Sequence, residues 1–185
     1  MICSQNASGA IPSEVILLGG SFCALPIEYR AAFLKDLYGC LSQHGGSFEC
    51  SDTWEQGQFR CSVLSIEARP DQITEEECRT LRAMGVSKVE LGVQHLLEKV
   101  LDANNRGHGV NATIDATRLL KTHGFKVGYH IMVGLPGASL DDDASMLREL
   151  WGPLLSPDYV KLYPCMLLKP ESLQPDLHAL YRSKV

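Results

Sequence analysis

Short apolar segments alternate along this chain with segments of helical periodicity, and this alternation limits the possible folds more than any other feature. The predicted strands are 13–20, 61–67, 88–93, 126–132 and 158–163, and the predicted helices are 26–46, 73–85, 95–103, 111–124 and one that begins after Ser139. Strands that alternate with helices are typical of parallel βα units. Five strands are too few to close an eight-stranded barrel. We therefore expect an α/β fold with an open, partial (β/α) barrel of about five parallel βα units, and a doubly wound sheet is the alternative.

Local residue patterns mark the ends of several helices. Thr74 and Glu77 have the spacing of a capping box, and Asn111 is predicted to cap the helix that Gly124 ends. Ser139 is predicted to cap the next helix, whose first turn is acidic. Acids at that position suit the helix dipole, so a structural role is expected for them.

Composition narrows the class of protein. The chain has 17 Lys and Arg against 22 Asp and Glu, a net charge of -5, so it has no general attraction to nucleic acid and an RNA contact would need a local basic patch. No apolar run has the roughly 18 residues of a membrane span, and the first residues lack a signal-peptide pattern, so a cytoplasmic location is expected. Seven cysteines without a secretory signal predict reduced thiols.

Each predicted strand delivers glycine or polar groups at its carboxyl end. In chain order these are Gly19-Gly20-Ser21, then Glu67 and Arg69, then Glu90, Gly92 and Gln94, then Tyr129 and His130, and finally Lys161 and Tyr163. The carboxyl ends of parallel strands meet at one edge of the sheet. The pattern therefore predicts a ring of hydrogen-bonding groups around one polar ligand.

Each of these residues also has a structural interpretation. Gly19-Gly20 could make a tight turn, Glu67 and Arg69 could form a structural salt bridge because they point to the same side of a strand, Gln94 could cap the following helix, His130 could be a core histidine, and residues 105–108 could be a solvated turn. The functional interpretation depends on the joint pattern.

The order of the motifs resembles a known family. The chain contains VILLGGSFCALPIEYR, SIEARPD, VELGVQ, NRGHGV, GFKVGYHIMVGLPG and VKLYP in this order. Between about residues 13 and 168 it resembles the radical S-adenosylmethionine (SAM) domain of the Elongator catalytic subunit family, the tRNA wobble-uridine carboxymethylating enzymes, also described as tRNA acetyltransferase-like. GVQ followed by NRGH is the most specific part of this resemblance.

The resemblance implies cofactors, substrates and site residues. It implies a 4Fe-4S cluster that reduces SAM, a radical that abstracts hydrogen from acetyl-CoA, and addition of the product to the wobble uridine of tRNA. It assigns cofactor binding to Gly19, Gly20, Glu67, Arg69, Gln94 and His130, and substrate binding to Asn105, Arg106, His108, Lys161 and Tyr163. Elongator-type subunits are the implied protein partners.

The sequence departs from the family pattern at the cluster-binding cysteines. The family uses three cysteines that include a CxxC pair, and this sequence has no CxxC. Cys40 and Cys50 mimic one family spacing, but Thr53 stands where the third cysteine would fall, so no metal ligand is assigned and we expect no cluster in this chain alone. Pro12 or Ser13 replaces a family lysine, Ala68 replaces a threonine, and the acetyltransferase-like domain has no counterpart.

Three interpretations follow from these departures. The favoured one is an incomplete fragment of such an enzyme, inactive alone, with an irregular segment at 1–12, the partial barrel at 13–168 and a tail at 169–185. The second is a degenerate, non-catalytic binding module or a partner in Elongator-type assemblies. The third is another radical SAM subfamily, such as the coproporphyrinogen dehydrogenase-like proteins.

The fragment interpretation makes geometric predictions. The strand at 15–19 should pair only with the strand at 62–67, and the order of strands in the sheet should follow the order in the chain. The exposed apolar edge should favour self-association. We also expect Glu67 and Arg69 to lie within reach of each other.

Overall fold

The computed structural model describes residues 11–42 and 59–166, and this part of the chain alternates between strands and helices as predicted. Its elements are β1 (Ile11–Leu17), α1 (Ile27–Ser42), β2 (Phe59–Ala68), α2 (Glu75–Ala83), β3 (Lys88–Gln94), α3 (Glu98–Ala103), α4 (Val110–Thr122), β4 (Lys126–Val133), α5 (Leu140–Glu149) and β5 (Tyr159–Pro164). Short 3₁₀ turns occur at Phe22–Ala24 and Pro70–Gln72. Among the helices of these described ranges, none is both long enough and apolar enough to cross a membrane.

The five strands form one parallel sheet in the order β1-β2-β3-β4-β5. This confirms the open, partial barrel and the predicted order of strands. Within residues 11–42 and 59–166, β1 pairs with β2 alone, so the predicted open edge is confirmed there. Self-association through this edge remains a prediction.

One side of the sheet is an apolar core covered by helices. Successive residues of a strand face opposite sides, and one set of alternating residues is almost completely buried, namely Leu64, Ile66, Val89, Leu91, Val127, Tyr129 and Ile131. They pack in one cluster with residues of the helices, including Cys78, Leu81, Ala116, Leu120 and Met146. Full burial of a large apolar side chain stabilises a fold by about 1.5–3 kcal/mol. The helices therefore lie against this side, and the opposite, concave face is left for polar groups.

Two predicted helix caps are confirmed. The Thr74 hydroxyl accepts a hydrogen bond from the Glu77 amide at 3.1 Å, at the start of α2. At the start of α5, the Ser139 hydroxyl accepts from the Asp142 amide at 3.2 Å, and the Asp142 carboxylate accepts from the Ser139 amide at 2.9 Å. These bonds satisfy amide donors that the first turn of a helix leaves unpaired.

The predicted Asn111 cap is wrong. Helix α4 begins at Val110, after Gly109, and the Glu98 carboxylate of α3 accepts the Val110 amide at 2.9 Å. A side chain from a different helix therefore satisfies a donor at the start of α4. A Cβ atom on Gly109 would lie 2.8 Å from the Glu98 carboxylate, which explains why the smallest residue precedes the helix.

The remaining differences from the prediction lie at element boundaries. Strand β1 runs from residue 11 to 17 and not from 13 to 20, because the glycine pair forms a turn beyond its end. Strand β2 begins at residue 59, where it pairs with the start of β1, although a loop was predicted up to residue 60. Helix α3 begins at residue 98 and not at about 95. The rest of the segment between the predicted helix at 26–46 and the predicted strand at 61–67, and the end of that helix beyond Ser42, lie outside the described residues.

Candidate active site

The register of the sheet places polar side chains from four strands on the concave face. Glu67 of β2 pairs with Glu90 of β3, and His130 of β4 pairs with Lys161 of β5. On β2, β3 and β4 the residues on either side of these polar groups face the apolar core, and on β5 Val160 packs against it, so the polar side chains face the other side. The sheet therefore brings Glu67, His130 and Lys161 together, as the sequence predicted.

Glu90 is the centre of this polar group, and it is completely buried. One carboxylate oxygen accepts hydrogen bonds from Lys161 Nζ and His130 Nε2, each at 2.5 Å. The other oxygen accepts from the Tyr159 hydroxyl at 2.8 Å and from the Ser65 hydroxyl at 3.3 Å. Four donors from three other strands thus surround one carboxylate.

These donors determine the charge of the cluster. Burial alone would raise the pKa of the Glu90 carboxyl group, but the hydrogen bonds outweigh it, with Lys161 and His130 the strongest, and lower the pKa from 4.5 to about 2. Burial, followed by the bond to Glu90, raises the pKa of the Tyr159 hydroxyl well above its usual range. Glu90 is therefore a carboxylate at neutral pH, and Tyr159 is a neutral donor to it.

The glycine turn after β1 lies against Glu67. The amides of Gly19 and Gly20 face one Glu67 carboxylate oxygen at 3.2 and 3.4 Å, and the other oxygen is 3.7 Å from His130 Nδ1. The two glycines have φ angles of +116° and +124°, which residues with a side chain rarely adopt. Beside this turn lies a pocket of about 140 Å³ that runs from Leu17 to Leu25. Gly19-Gly20 therefore forms the tight turn of the structural interpretation and also contributes its amides to the polar face.

Arg69 does not form the expected pair with Glu67. Its guanidinium donates to both oxygens of Asp71, at 2.9 and 2.8 Å, and within the described ranges no ion pair joins it to Glu67. The reason is that β2 ends at Ala68 and the chain then enters the 3₁₀ turn that contains Asp71. The Arg69 amide donates to the Ser21 hydroxyl at 3.2 Å, which ties the glycine turn to the end of β2.

Gln94 ends β3 in a left-handed backbone conformation, with a φ angle of +69°. The register of the pairing between β3 and β4 shifts between Leu91 and Gln94. The side-chain nitrogen Nε2 of Gln94 lies 3.5 Å from where a Cβ atom on Gly92 would be. The Gln94 side chain is thus folded back over Gly92. The alternative interpretation of Gln94 as a helix cap is wrong, because Leu97 occupies the cap position of α3.

The NRGH segment adds cations at the end of β3. Arg106 Nη2 donates to the Gly92 carbonyl at 3.4 Å, and the Arg69 guanidinium approaches Gly107. Burial, followed by the charge of Arg69, lowers the pKa of Arg106, while burial and then Arg106 lower the pKa of His108. His108 is buried, with 9% of its surface exposed, and neither of its ring nitrogens has a hydrogen-bond partner. Asn105 and Gly107 are exposed, so the solvated-turn interpretation holds for these two residues and not for Arg106 or His108.

Tyr163 forms the outer edge of the site. Its ring centre lies 5.6 Å from that of His130, with an angle of 66° between the ring planes, and its side chain is 45% exposed. It is therefore open to solvent, in contrast to Glu90 below it.

Sequence reasoning missed the central roles of Glu90, Tyr159 and Ser65. Glu90 was recognised only as one polar group near a strand end, although an acid between Val89 and Leu91 in an otherwise apolar strand was a usable signal. Ser65 and Tyr159 gave no comparable signal.

One group of side chains on the concave face has the atoms that could hold a metal ion. In the described ranges, Glu67, Glu90 and His130 are the one group of three metal-ligand side chains whose atoms lie within 4.8 Å of one another. Both Glu90 oxygens already accept two hydrogen bonds each, and one of the donors is a lysine. This arrangement suits an internal ion-pair cluster better than a cation site.

The described cysteines do not fit a 4Fe-4S cluster, which needs several thiolates in one place. They are Cys23, Cys40, Cys61, Cys78 and Cys165, and no three of them form a group of candidate ligands within the described ranges. Burial, followed by the charge of Glu77, raises the pKa of Cys23 to about 12, which favours the thiol. Cys3 and Cys50 lie outside the described residues.

Comparison with known proteins gives consistent results. Residues 7–150 match the profile of the radical SAM superfamily. The tRNA uridine(34) acetyltransferase of Methanocaldococcus infernus is 40% identical over 159 residues, which cover 84% of this chain and 30% of that protein. Elongator complex protein 3 of Homo sapiens is 36% identical over 159 residues, with 84% and 29% covered. The chain thus spans about a third or less of these two relatives.

Solved structures confirm the fold. The archaeal Methanocaldococcus infernus Elp3 with an N-terminal deletion matches with a TM-score of 0.76 and 38% identity, over 85% of this chain and 38% of that one. Coproporphyrinogen III oxidase (HemN) from Escherichia coli matches with a TM-score of 0.69 over 94% of this chain and 35% of that one, but at 22% identity. The second match supports the fold alone.

Proposed function

This chain belongs to the radical SAM superfamily and is related to the Elongator catalytic subunits, and we propose that its concave face is the SAM-binding surface of a tRNA uridine-modifying enzyme. The observation that carries the proposal is the convergence of the glycine turn, Glu67, Gln94 and Arg106 at the carboxyl ends of the strands. Ligands of parallel α/β folds bind at that end of the sheet. The reaction class is inferred from the names of the relatives.

The charges of the site suit the amino-acid portion of SAM. The Glu67 carboxylate lies beside the glycine turn, where it can accept hydrogen bonds from an ammonium group while the turn allows close approach of the ligand. Arg106, with Arg69 nearby, supplies positive charge for a carboxylate. His130 lies beside Glu67, and the Gln94 side chain lies near Arg106 over Gly92; these two residues complete the proposed cofactor-binding set.

The outer residues are proposed to face the substrate. Lys161 and Tyr163 lie on β5, and Asn105, Arg106 and His108 follow β3. Glu90 holds Lys161 and His130 in fixed positions below the opening of the site. A tRNA uridine, an acetyl donor such as acetyl-CoA, Elongator-type partners and a cytoplasmic location belong to the same proposal. Because the net charge is -5, tRNA contact would depend on such local cations.

In this superfamily, SAM bound beside a reduced 4Fe-4S cluster supplies a carbon-centred radical. The described residues fit SAM but do not supply the cluster thiolates. The contribution that these residues can make is to bind SAM, orient it and surround it with fixed charges.

Calorimetric titration of the full chain with S-adenosylhomocysteine tests the binding site, because this compound keeps the ammonium and carboxylate groups of SAM. Glu67→Gln and Arg106→Gln should each weaken binding about 10- to 100-fold, the range expected for loss of a charge-assisted hydrogen bond. Glu75→Gln, at an exposed position of α2, is the matched control and should bind like the wild type. Absence of binding by the wild type, or equal affinity in all variants, would show that the proposal is wrong.

Reconstitution tests whether this chain is catalytic by itself, which S-adenosylhomocysteine binding cannot show. We expect the chain alone to hold no cluster after anaerobic incubation with iron and sulfide, and therefore not to cleave SAM. Stoichiometric iron that survives desalting, together with release of 5'-deoxyadenosine, would contradict this expectation.

A further inference from the structure

A buried histidine and aspartate connect two loops at the edge of the proposed cofactor site. His95 is completely buried, and its Nε2 lies 3.2 Å from one Asp143 carboxylate oxygen. Its Nδ1 accepts a hydrogen bond from the Leu97 amide at 3.1 Å. The other Asp143 oxygen accepts from the Gly134 amide at 2.9 Å. A chain of hydrogen bonds thus runs from the loop after β3 to the loop after β4.

These contacts define the hydrogen positions on His95. Because Nδ1 accepts from an amide, it carries no hydrogen, and the ring hydrogen is on Nε2, where it is donated to Asp143. A neutral imidazole with one fixed tautomer is what the two contacts require. His95 therefore acts as a rigid link between the loops.

The link begins immediately after Gln94, the residue with the strained backbone. The His95 amide donates to the Val93 carbonyl at 2.9 Å and closes a three-residue turn around Gln94, whose φ angle is +69°. Turns of this kind with a positive central φ are rare and strained. Such a conformation persists only where the surrounding structure holds it in place. In this conformation the Gln94 side chain is folded back over Gly92 at the concave face.

We propose that His95 and Asp143 are positioning residues that hold Gln94 in its ligand-binding conformation. The proposal rests on the proposed SAM-binding function, but the link itself is testable without a ligand. Asp143 fixes His95, His95 fixes the turn around Gln94, and the turn aims the Gln94 amide at the site. A purely structural link would stabilise the fold without acting on affinity through Gln94.

A thermodynamic cycle distinguishes these two roles. S-adenosylhomocysteine affinity is measured for wild type, Gln94→Ala, His95→Leu and the double variant. Each single variant should bind about 10-fold more weakly, and the double variant no more weakly than Gln94→Ala alone. His95→Gln, which keeps a donor for Asp143, should recover most of the affinity. Losses that multiply in the double variant would overturn the proposal.

Thr117→Val is the matched control for the loss of a buried polar contact. Thr117 lies in α4 on the helix side of the sheet and shares a hydrogen bond with the Tyr129 hydroxyl. Its replacement should lower the midpoint of denaturation and leave the affinity for S-adenosylhomocysteine unchanged. A comparable loss of affinity in this variant would show that destabilisation alone explains the His95 effect.

Hydrogen exchange in the ligand-free chain tests the link independently of binding. Asp143→Asn should speed exchange of the Leu97 amide about 10-fold, although Asp143 does not contact that amide, and His95→Leu should likewise speed exchange of the Gly134 amide. Effects confined to the loop of the substituted residue would overturn the proposal. If the wild type fails to bind S-adenosylhomocysteine but the two variants show both cross-loop effects, the SAM-binding function is refuted and the link between the loops stands.

Discussion

Replacement of Glu90 by glutamine should destabilise the protein by an amount that depends on pH. The folded-state pKa of Glu90 is about 2, and its ordinary value is 4.5. At about 1.4 kcal/mol per pH unit, this interval corresponds to about 3 kcal/mol of stability. A glutamine would keep one acceptor but place an amide donor against the ammonium of Lys161 or the ring of His130. We therefore expect a loss of about 3 kcal/mol at pH 7.

The sign of the pH dependence follows from the direction of the pKa change. Because the folded state lowers the pKa of Glu90, the stabilisation is fully present above pH 4.5 and disappears as pH falls towards 2. The difference between wild type and Glu90→Gln in free energy of unfolding should therefore decrease by about 2 kcal/mol between pH 6 and pH 3. Other carboxylates titrate in both proteins and cancel in this difference.

Urea denaturation at a series of pH values, followed by circular dichroism, measures this difference. Glu75→Gln is the control, since Glu75 forms an exposed ion pair with Arg79 on α2, and its replacement should change stability by less than about 0.5 kcal/mol. A wild-type advantage over Glu90→Gln that is below about 1 kcal/mol at pH 7, or that stays constant between pH 6 and pH 3, would refute the reasoning.

Two further predictions concern backbone geometry. Gln94→Gly should stabilise the fold by about 1 kcal/mol in denaturation, because glycine adopts the positive φ angle without strain. The same variant should weaken S-adenosylhomocysteine binding in calorimetry as much as Gln94→Ala does. A glycine variant no more stable than the alanine variant would contradict this. Gly128→Ala should cost more than about 2 kcal/mol in thermal unfolding, because the new Cβ atom would lie 2.2 Å from the Tyr159 ring and displace its hydroxyl from Glu90. Gly39→Ala in α1, where a new Cβ atom would meet no described atom outside its own helix within 4 Å, should be neutral or stabilising. Equal effects at the two glycines would count against the packing argument.

The features that sequence predicted are those encoded over short distances. The alternation of strands and helices gave the parallel sheet and its order, and the caps at Thr74 and Ser139 depend on residues three positions away. The convergence of Glu67, His130 and Lys161 followed from a general rule about strand ends and needed no register.

The features that sequence missed depend on distant neighbours. Glu90 is central because its register places it beside donors from other strands, and Lys161 lies 71 residues away in the chain. The cap of α4 comes from Glu98 in another helix, so Asn111 was a locally reasonable but wrong choice. The Arg69 side chain follows the 3₁₀ turn after β2 and meets Asp71 in place of Glu67. Each of these contacts is decided by packing between elements.

The position of Lys161 on β5, far along the chain from Glu90, affects how the site forms during protein synthesis. At roughly 5–20 residues per second, the ribosome adds Lys161 about 4–14 s after Glu90. Until then β3 carries a carboxylate without its ammonium partner, and a buried carboxylate without that partner is costly. The nascent sheet should therefore keep this face hydrated, and the arrival of β5 becomes the step that removes water from around Glu90.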